Sequence, residues 1–258
     1  MTSPIRICPN LEIQESRGLL QALRLDVEGD FNSFRIGHSL QYQRTYLFPP
    51  KPTLIGLLGA ALGLEDTQLA QLYKSIRTAI VLREHHGFAR DLWGITKLKM
   101  AGKAERAVVV REMLHRPHYK IFYASSKSSG VLKLQDMEAA FTDPAYPLTL
   151  GRSDELIMVR SHSITDLRPA EQGTYYRYTV LPFDYRKRKY DLEKVAASKD
   201  EILELPQVFK LPVAYSYDKT RRRSVAEYGV FTHVFGTGVS LKEANGGWRD
   251  EDRCFFVY

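Results

Sequence analysis

Tyr46, His118 and Lys120 supply the chemical types that a metal-free ribonuclease needs: a base for the ribose hydroxyl, an acid for the leaving oxygen and a cation for the phosphate. Nothing in their spacing shows that they meet, so this catalytic grouping is the lesser expectation. His115 and His118 offer at most two metal ligands from one short segment, and no HExxH or CxxC pattern adds to them. A stable zinc site wants four donors, or three and a water, so neither a metal nor a cofactor is expected.

Binding chemistry is better represented than catalysis. Arg186-Lys187-Arg188-Lys189 and Arg221-Arg222-Arg223 place like charges side by side. Such runs repel unless solvent or an anion screens them, and phosphates do so while accepting directed hydrogen bonds. Tyr185, Tyr190, Tyr217 and Tyr228 flank the runs and offer ring faces for stacking, or side chains for ordinary packing. Gly151-Arg152-Ser153-Asp154-Glu155 reads as a tight turn whose amides and arginine face an anion, or as a turn capped locally by Ser153 or Asp154. Ser33-Phe34-Arg35 joins a small polar residue, a ring and a guanidinium just after a strand, well placed to meet a ligand.

The elements that must position these groups follow from periodicity. Leu23, Leu25 and Val27 alternate with Arg24, Asp26 and Glu28, the mark of a strand with one buried face. After Pro49-Pro50-Lys51-Pro52, Thr53 caps a helix carrying Leu54, Leu57, Leu58, Ala61 and Leu62. Gly56, Gly59 and Gly63 thin one side of that helix, which suggests close approach of another backbone. A second helix spans 66–75, with strands at 79–82, 107–110 and 119–123, a helix at 134–141 and a strand at 156–159. Between 85 and 106 the periodicity loosens into a basic stretch punctuated by glycine, with Arg90, Lys97, Lys99 and Lys103 able to neutralise phosphate and Phe88 and Trp93 to anchor it. It suits a projecting hairpin.

This order fits an α+β chain built on an elaborated β-α-β-β-α-β unit, with both helices on one face of the sheet and the other face left open. The expected organisation is a lead-in over 1–18, a domain over 19–165, and a smaller β-rich region over 166–258 with strands at 175–181, 209–214, 230–235 and 254–258. The 258 residues are 44% hydrophobic, enough for a packed core, and carry 37 Lys and Arg against 30 Asp and Glu. That surplus favours an anionic partner. Cys8 and Cys254 form neither a disulfide framework nor a metal half-site, and no window approaches a membrane span, so a soluble cytoplasmic protein is expected.

Leu23 through Arg35, followed by Phe48-Pro49-Pro50-Lys51-Pro52-Thr53-Leu54-Ile55-Gly56-Leu57-Leu58-Gly59, resembles the amino-terminal signature of the Cas5 family. Arg111-Glu112-Met113-Leu114 and Leu150-Gly151-Arg152-Ser153-Asp154-Glu155 resemble further blocks of that family in the same order. The resemblance covers roughly residues 20 to 160 and is loose beyond them.

The resemblance implies a ferredoxin-like RNA-recognition domain with a protruding β-hairpin thumb at about 85–106. It further implies a subunit that holds the 5′ handle of CRISPR RNA in a Cascade surveillance complex, beside a Cas7 family backbone subunit and a Cas8 family large subunit, with target DNA nearby. It assigns RNA contact to Ser33, Phe34 and Arg35, to Lys51 and Thr53, and to Gly151, Arg152 and Ser153. One branch of the family cleaves precursor CRISPR RNA, and an equivalent guide-binding subunit serves CRISPR-directed transposition. These are the alternatives to a structural role.

Overall fold

The computed structural model describes residues 18–37, 39, 42–98, 104–125, 132–193, 204–242, 246–251 and 253–258. The main chain runs β1 (Leu20–Gly29), β2 (Phe31–Asn32), β3 (Tyr42–Gln43), α1 (Lys51–Leu62), α2 (Asp66–Ser75), β4 (Ile76–Glu84), β5 (Phe88–Leu98), β6 (Ala104–His115), β7 (His118–Ser125), α3 (Leu134–Thr142) and β8 (Ile157–Pro169). It continues through β9 (Tyr175–Tyr176), β10 (Thr179–Leu181), a 3₁₀ turn (Tyr185–Lys187), β11 (Tyr190–Leu192), β12 (Gln207–Tyr217), β13 (Arg223–Val234), β14 (Val239–Leu241), β15 (Trp248–Asp250) and β16 (Arg253–Phe255).

The sheet at the centre is nine-stranded, ordered β12-β13-β10-β4-β7-β1-β8-β15-β16. Within it, β4, β7, β1 and β8 pair antiparallel, with Leu25 opposite Ile121 on one side and His162 on the other. The carboxy-terminal strands extend these four edge to edge, β10, β13 and β12 beyond β4, and β15 and β16 beyond β8. A small sheet, β11-β14-β9, lies apart, and β2, β3 and β5 pair with β6.

Alternation along β1 and β7 decides which face each residue serves. Leu23, Leu25, Val27, Tyr119, Ile121 and Tyr123 point into the main core with Leu54, Leu57 and Leu58 of α1, Leu72 of α2 and Met137 and Phe141 of α3. The opposite face is not left open as expected. Ala22, Ala79, Val81, Phe122 and Ala124 pack there against Trp248, Phe255 and Val257, and Phe122 stacks on Phe255 with centroids 4.3 Å apart. Burying a side chain of that size contributes about 2–3 kcal/mol, enough to hold the β15–β16 hairpin over this part of the sheet.

Helix α1 starts three residues earlier than expected. Pro50 is its N-cap and Lys51 its first residue, so Thr53 lies in the first turn rather than at the cap. The fixed φ of Pro52 suits that turn, where no amide donor is needed. Of its glycines, Gly59 faces Leu69 of α2: a Cβ there would stand 2.2 Å from Leu69 Cδ2. The close approach is therefore helix on helix. Gly63 ends the helix at φ +69° and Gly56 faces open space.

The stretch that lost periodicity folds as a long antiparallel hairpin. β5 and β6 pair from Phe88–Leu114 to Leu98–Ala104. Lys99 and Lys103 lie outside the described residues, and Lys97 sits on β5 opposite Glu105.

Candidate nucleic-acid interface

A buried carboxylate organises the turn after α3. Glu155 accepts from the Ser33 amide (2.7 Å), the Ser33 hydroxyl (2.5 Å) and the Arg152 amide (3.0 Å). Gly151 makes room for it: at φ +118°, a Cβ would stand 2.2 Å from Glu155 Oε2 and 2.5 Å from the Ser33 carbonyl. Desolvation raises the Glu155 pKa above the usual carboxylate value, against the pull of these hydrogen bonds and of Arg111 3.7 Å away. The turn is thus capped by Glu155, not by Ser153 or Asp154, and the Arg152 amide and Ser33 hydroxyl are directed inward.

The same network ties in the β5–β6 hairpin. Arg111 on β6 is 9% exposed and pairs with Asp91 (3.1 Å) and Asp154 (3.3 Å). Both Arg111 and Arg152 lie over the Trp93 ring, at 5.6 and 4.0 Å from its centroid. Two guanidiniums over one indole gain from the negative ring face, so Trp93 anchors the hairpin to its own domain. Phe88, the other expected anchor, is 55% exposed, with His85 edge-on at 5.5 Å.

Two short segments pair beside this turn, Phe34 accepting from the Tyr46 amide and Arg44 from the Ile36 amide, both at 2.9 Å. Thr45 locks them, accepting from the Phe34 amide at 2.7 Å while its own amide donates to Glu112. Tyr42 also donates to Glu112, so that carboxylate is occupied within the wall. Arg35 and Arg44 are exposed, and neither side chain has an ion pair among the described residues. Arg90 is also exposed and lies over Tyr42 at 5.7 Å.

Facing this wall is the β12–β13 ribbon. On one side of it, Lys210 lies over Tyr228 at 5.1 Å and Arg223 over Tyr215 at 4.5 Å. Between wall and ribbon opens a cleft of about 450 Å³, lined among others by Ser33, Phe34, Arg35, Arg44, Tyr46 and Thr53, with Gly151 and Arg152 at one end and Lys210, Tyr215 and Tyr228 opposite. Arg152 pairs with Asp154 at 3.3 Å, but Arg35, Arg44 and Lys210 have no carboxylate partner among the described residues. With the exposed Tyr228 and half-buried Tyr215 rings they suit an anionic, unstacked polymer: phosphate meets the cations and a planar group meets the tyrosines.

Six expected residues, Ser33, Phe34, Arg35, Thr53, Gly151 and Arg152, therefore line one cavity although they come from three distant segments. Ser153 is exposed on the same turn. Lys51 is buried in the first turn of α1 and does not line the cleft. The Arg186 run lies elsewhere: Arg186 pairs with Asp184 at 2.9 Å, Arg188 covers Phe183 at 4.3 Å, and Lys187 is exposed on the 3₁₀ turn. In the second run Arg221 pairs with Glu65 (3.4 Å) and Asp66 (3.5 Å) beside α2, Arg222 is exposed, and Arg223 reaches the cleft's edge through Tyr215. Sequence reasoning missed Arg44, Lys210 and Tyr215. Only the sheet register shows that Lys210 and Tyr228 share a face, Pro212 being opposite Tyr228.

The catalytic grouping does not assemble. Tyr119, between His118 and Lys120, points into the main core and donates to the Leu47 carbonyl at 2.6 Å, on the side where Tyr46 packs. His118 and Lys120 project from the other face, His118 to Asp26 and Lys120 to Glu251 at 2.7 Å and Asp250 at 3.6 Å. Burial raises the Tyr46 phenol above its ordinary pKa. The sheet separates the phenol from the imidazole and the ammonium. Among the described residues no group of three or more His, Cys, Asp or Glu is arranged to hold a metal, and no helix is long and apolar enough to cross a membrane.

A chain titled "CRISPR RNA-guided surveillance complex" shares the fold, with a TM-score of 0.52 at 15% identity over 85% of this chain and 90% of that one. A CRISPR protein from Archaeoglobus fulgidus aligns with a TM-score of 0.47 at 8% identity, over 92% of this chain and 98% of that one. No curated protein matches the sequence. The family model described as CRISPR-associated protein (Cas_Cas5) matches residues 22–212, most of the chain that builds the cleft, and the protein belongs to that Cas5 family of CRISPR-associated proteins.

Proposed function

We propose that this protein is a structural, RNA-binding subunit of a CRISPR ribonucleoprotein that holds the 5′ handle of the guide RNA in the cleft between the Ser33–Tyr46 wall and the β12–β13 ribbon. The observation that carries this reading is the convergence of Arg35, Arg44, Arg152 and Lys210 with Tyr215 and Tyr228 on one cavity. Arginine and lysine neutralise phosphates without reading sequence, and the rings accept any base face. In this reading β4, β7, β1 and β8 with α1 and α3 form a ferredoxin-like RNA-recognition unit, for which the order β8-β1-β7-β4 speaks. The β5–β6 hairpin is then the thumb, set beside the guide with a Cas7 family backbone subunit and a Cas8 family large subunit as neighbours.

The test is reconstitution of the complex with guides carrying the natural or a scrambled handle, at two salt concentrations. Preference for the natural handle and weaker binding at the higher salt are expected. Equal binding of both guides with no dependence on salt rejects the cleft as a handle site.

A further inference from the structure

Around the β15–β16 hairpin, a second cluster of arginines surrounds a smaller cleft. Register places Arg249 of β15 directly opposite Arg168 of β8. Directly opposed residues have Cβ atoms about 5 Å apart, and like charges there are destabilising. Both side chains are exposed, and Arg168 has no partner among the described residues. Arg249 donates its Nε to the Glu251 carbonyl at 2.9 Å, which orients the guanidinium while leaving its two terminal amino groups available. The adjoining cleft, about 290 Å³, is lined by Thr174, Tyr175, Arg177, Arg249, Arg253 and Cys254.

Carboxylates do not cancel the charge of the Arg168–Arg249 pair. Glu193 pairs with Arg177, and the nearby Asp250 and Glu251 side chains are drawn toward Arg24 and Lys120. Glu171 is exposed near Cys254. Tyr175, 40% exposed, adds a ring to the rim. A repelling cross-strand pair beside an arginine-lined cleft is relieved by an anion bridging the two guanidiniums, and their planar forks match phosphate oxygens two at a time.

We propose that Arg168 and Arg249, with Arg177 and Arg253 beside them, form a second phosphodiester site that takes a nucleic-acid segment other than the one held in the first cleft. The β15–β16 hairpin folds over the face of the sheet opposite the main core, and Arg253 lies over Tyr178 at 5.6 Å. The two clefts share no lining residue. An acidic protein surface is the competing partner. Nucleic acid is favoured by the ring beside the guanidiniums and by an Arg168–Arg249 pair that no described carboxylate neutralises.

The full-length protein is titrated against two fluorescent probes, a single-stranded oligouridylate and a short DNA duplex, with polyglutamate as competitor. Arg168→Gln/Arg249→Gln is compared with Arg35→Gln/Arg44→Gln in the first cleft. The expected result is that the Arg168/Arg249 variant weakens at least one probe roughly ten-fold and lowers the slope of log affinity against log salt by about 1.4 for the single strand or about 1.8 for the duplex. Whichever probe responds identifies the strand type, and the loss adds to that of the first-cleft variant. Loss confined to the first-cleft variant overturns the second site and leaves the handle reading standing, whereas the reverse pattern keeps the second site alone. Unchanged affinity and slope for both probes, or arginine-dependent binding of polyglutamate alone, overturns the proposal. Because the two arginines repel, the substitutions are expected to leave thermal stability equal or higher. Should the variant fail to fold, dicarbonyl labelling of the wild-type arginines decides: protection of Arg168 and Arg249 by either probe supports the site, and its absence overturns it.

Discussion

The Arg152 guanidinium lies 4.0 Å from the centre of the Trp93 ring, joining the turn after α3 to the middle of the β5–β6 hairpin. Trp93→Ala removes this contact and that with Arg111. The cation–π contribution is about 0.5–2 kcal/mol, and with the lost packing the melting temperature is expected to fall by a few degrees while the fold survives. Faster amide exchange in β5 and β6 than in β1 and β7 is the local signature. Uniformly faster exchange would show that the hairpin is not separately tethered.

Glu155 is the hub beneath that contact, and its truncation has a larger effect. Glu155→Ala leaves the Ser33 and Arg152 amides without their acceptor and Arg111 with one carboxylate fewer. A broken buried pair of this kind costs about 3–5 kcal/mol, measured by denaturant unfolding. The raised pKa sets the pH dependence: the folded state holds the proton more tightly than the unfolded chain, so this contribution is full below the unfolded value near 4.5 and is lost as pH rises through the folded value. The stability of the wild type relative to Glu155→Gln should therefore decline as pH increases from about 4 to 7. A flat or rising difference would contradict the assignment.

His233 has the opposite sign. It is fully enclosed by Tyr46, Phe48 and Phe209, and burial pushes its pKa down to about 3. The unfolded chain takes up the proton near pH 6.5, so stability is complete above that value and is lost as pH falls toward 3. A tenfold difference in proton affinity between the folded and unfolded states corresponds to about 1.4 kcal/mol. His233→Phe should flatten the acid limb of a stability-against-pH profile, whatever it does to stability at neutral pH.

Arg35 and Arg44 are expected to act on RNA without supporting the fold, since neither has an ion pair among the described residues. Arg35→Ala/Arg44→Ala should leave thermal unfolding within about 0.5 kcal/mol of wild type. It should also weaken guide RNA binding for natural and scrambled handles alike, with a salt slope lower by about 1.4. Filter binding at three salt concentrations measures both the affinity and its slope.

Among the first 165 residues, the strands β1, β4 and β7 and the helices were legible, though not all their bounds, because apolar residues recur along them. Leu23, Leu25 and Val27 alternate, and α2 spans 66–75 as its pattern indicates. The hairpin was legible only as an interruption, because its outward face keeps Leu92 and Val108 exposed and breaks the alternation that a buried strand shows. Edge-to-edge addition of β12, β13, β15 and β16 left no local trace, since pairing partners are fixed by backbone geometry rather than composition. The cleft was half visible. Its glycine and arginine blocks stand out in sequence, while Lys210 and Tyr215 come together with them only through the register of a ribbon. The Tyr46, His118 and Lys120 grouping failed on parity: one buried residue, Tyr119, separates the two basic side chains and sends both to the wrong face.

The pairing of β1 also shapes how the chain reaches its fold. Its partners arrive late, Leu23 meeting Tyr123 and Leu20 meeting Leu167, whereas β5–β6 and β12–β13 close locally. Distant closures are entropically costly and slow, so the β5–β6 ribbon should form while β1 still exposes both edges. A nascent chain emerging from the ribosome would pass through an interval in which Leu23, Leu25 and Val27 have no strand beside them, and in that interval the protein is most prone to aggregate.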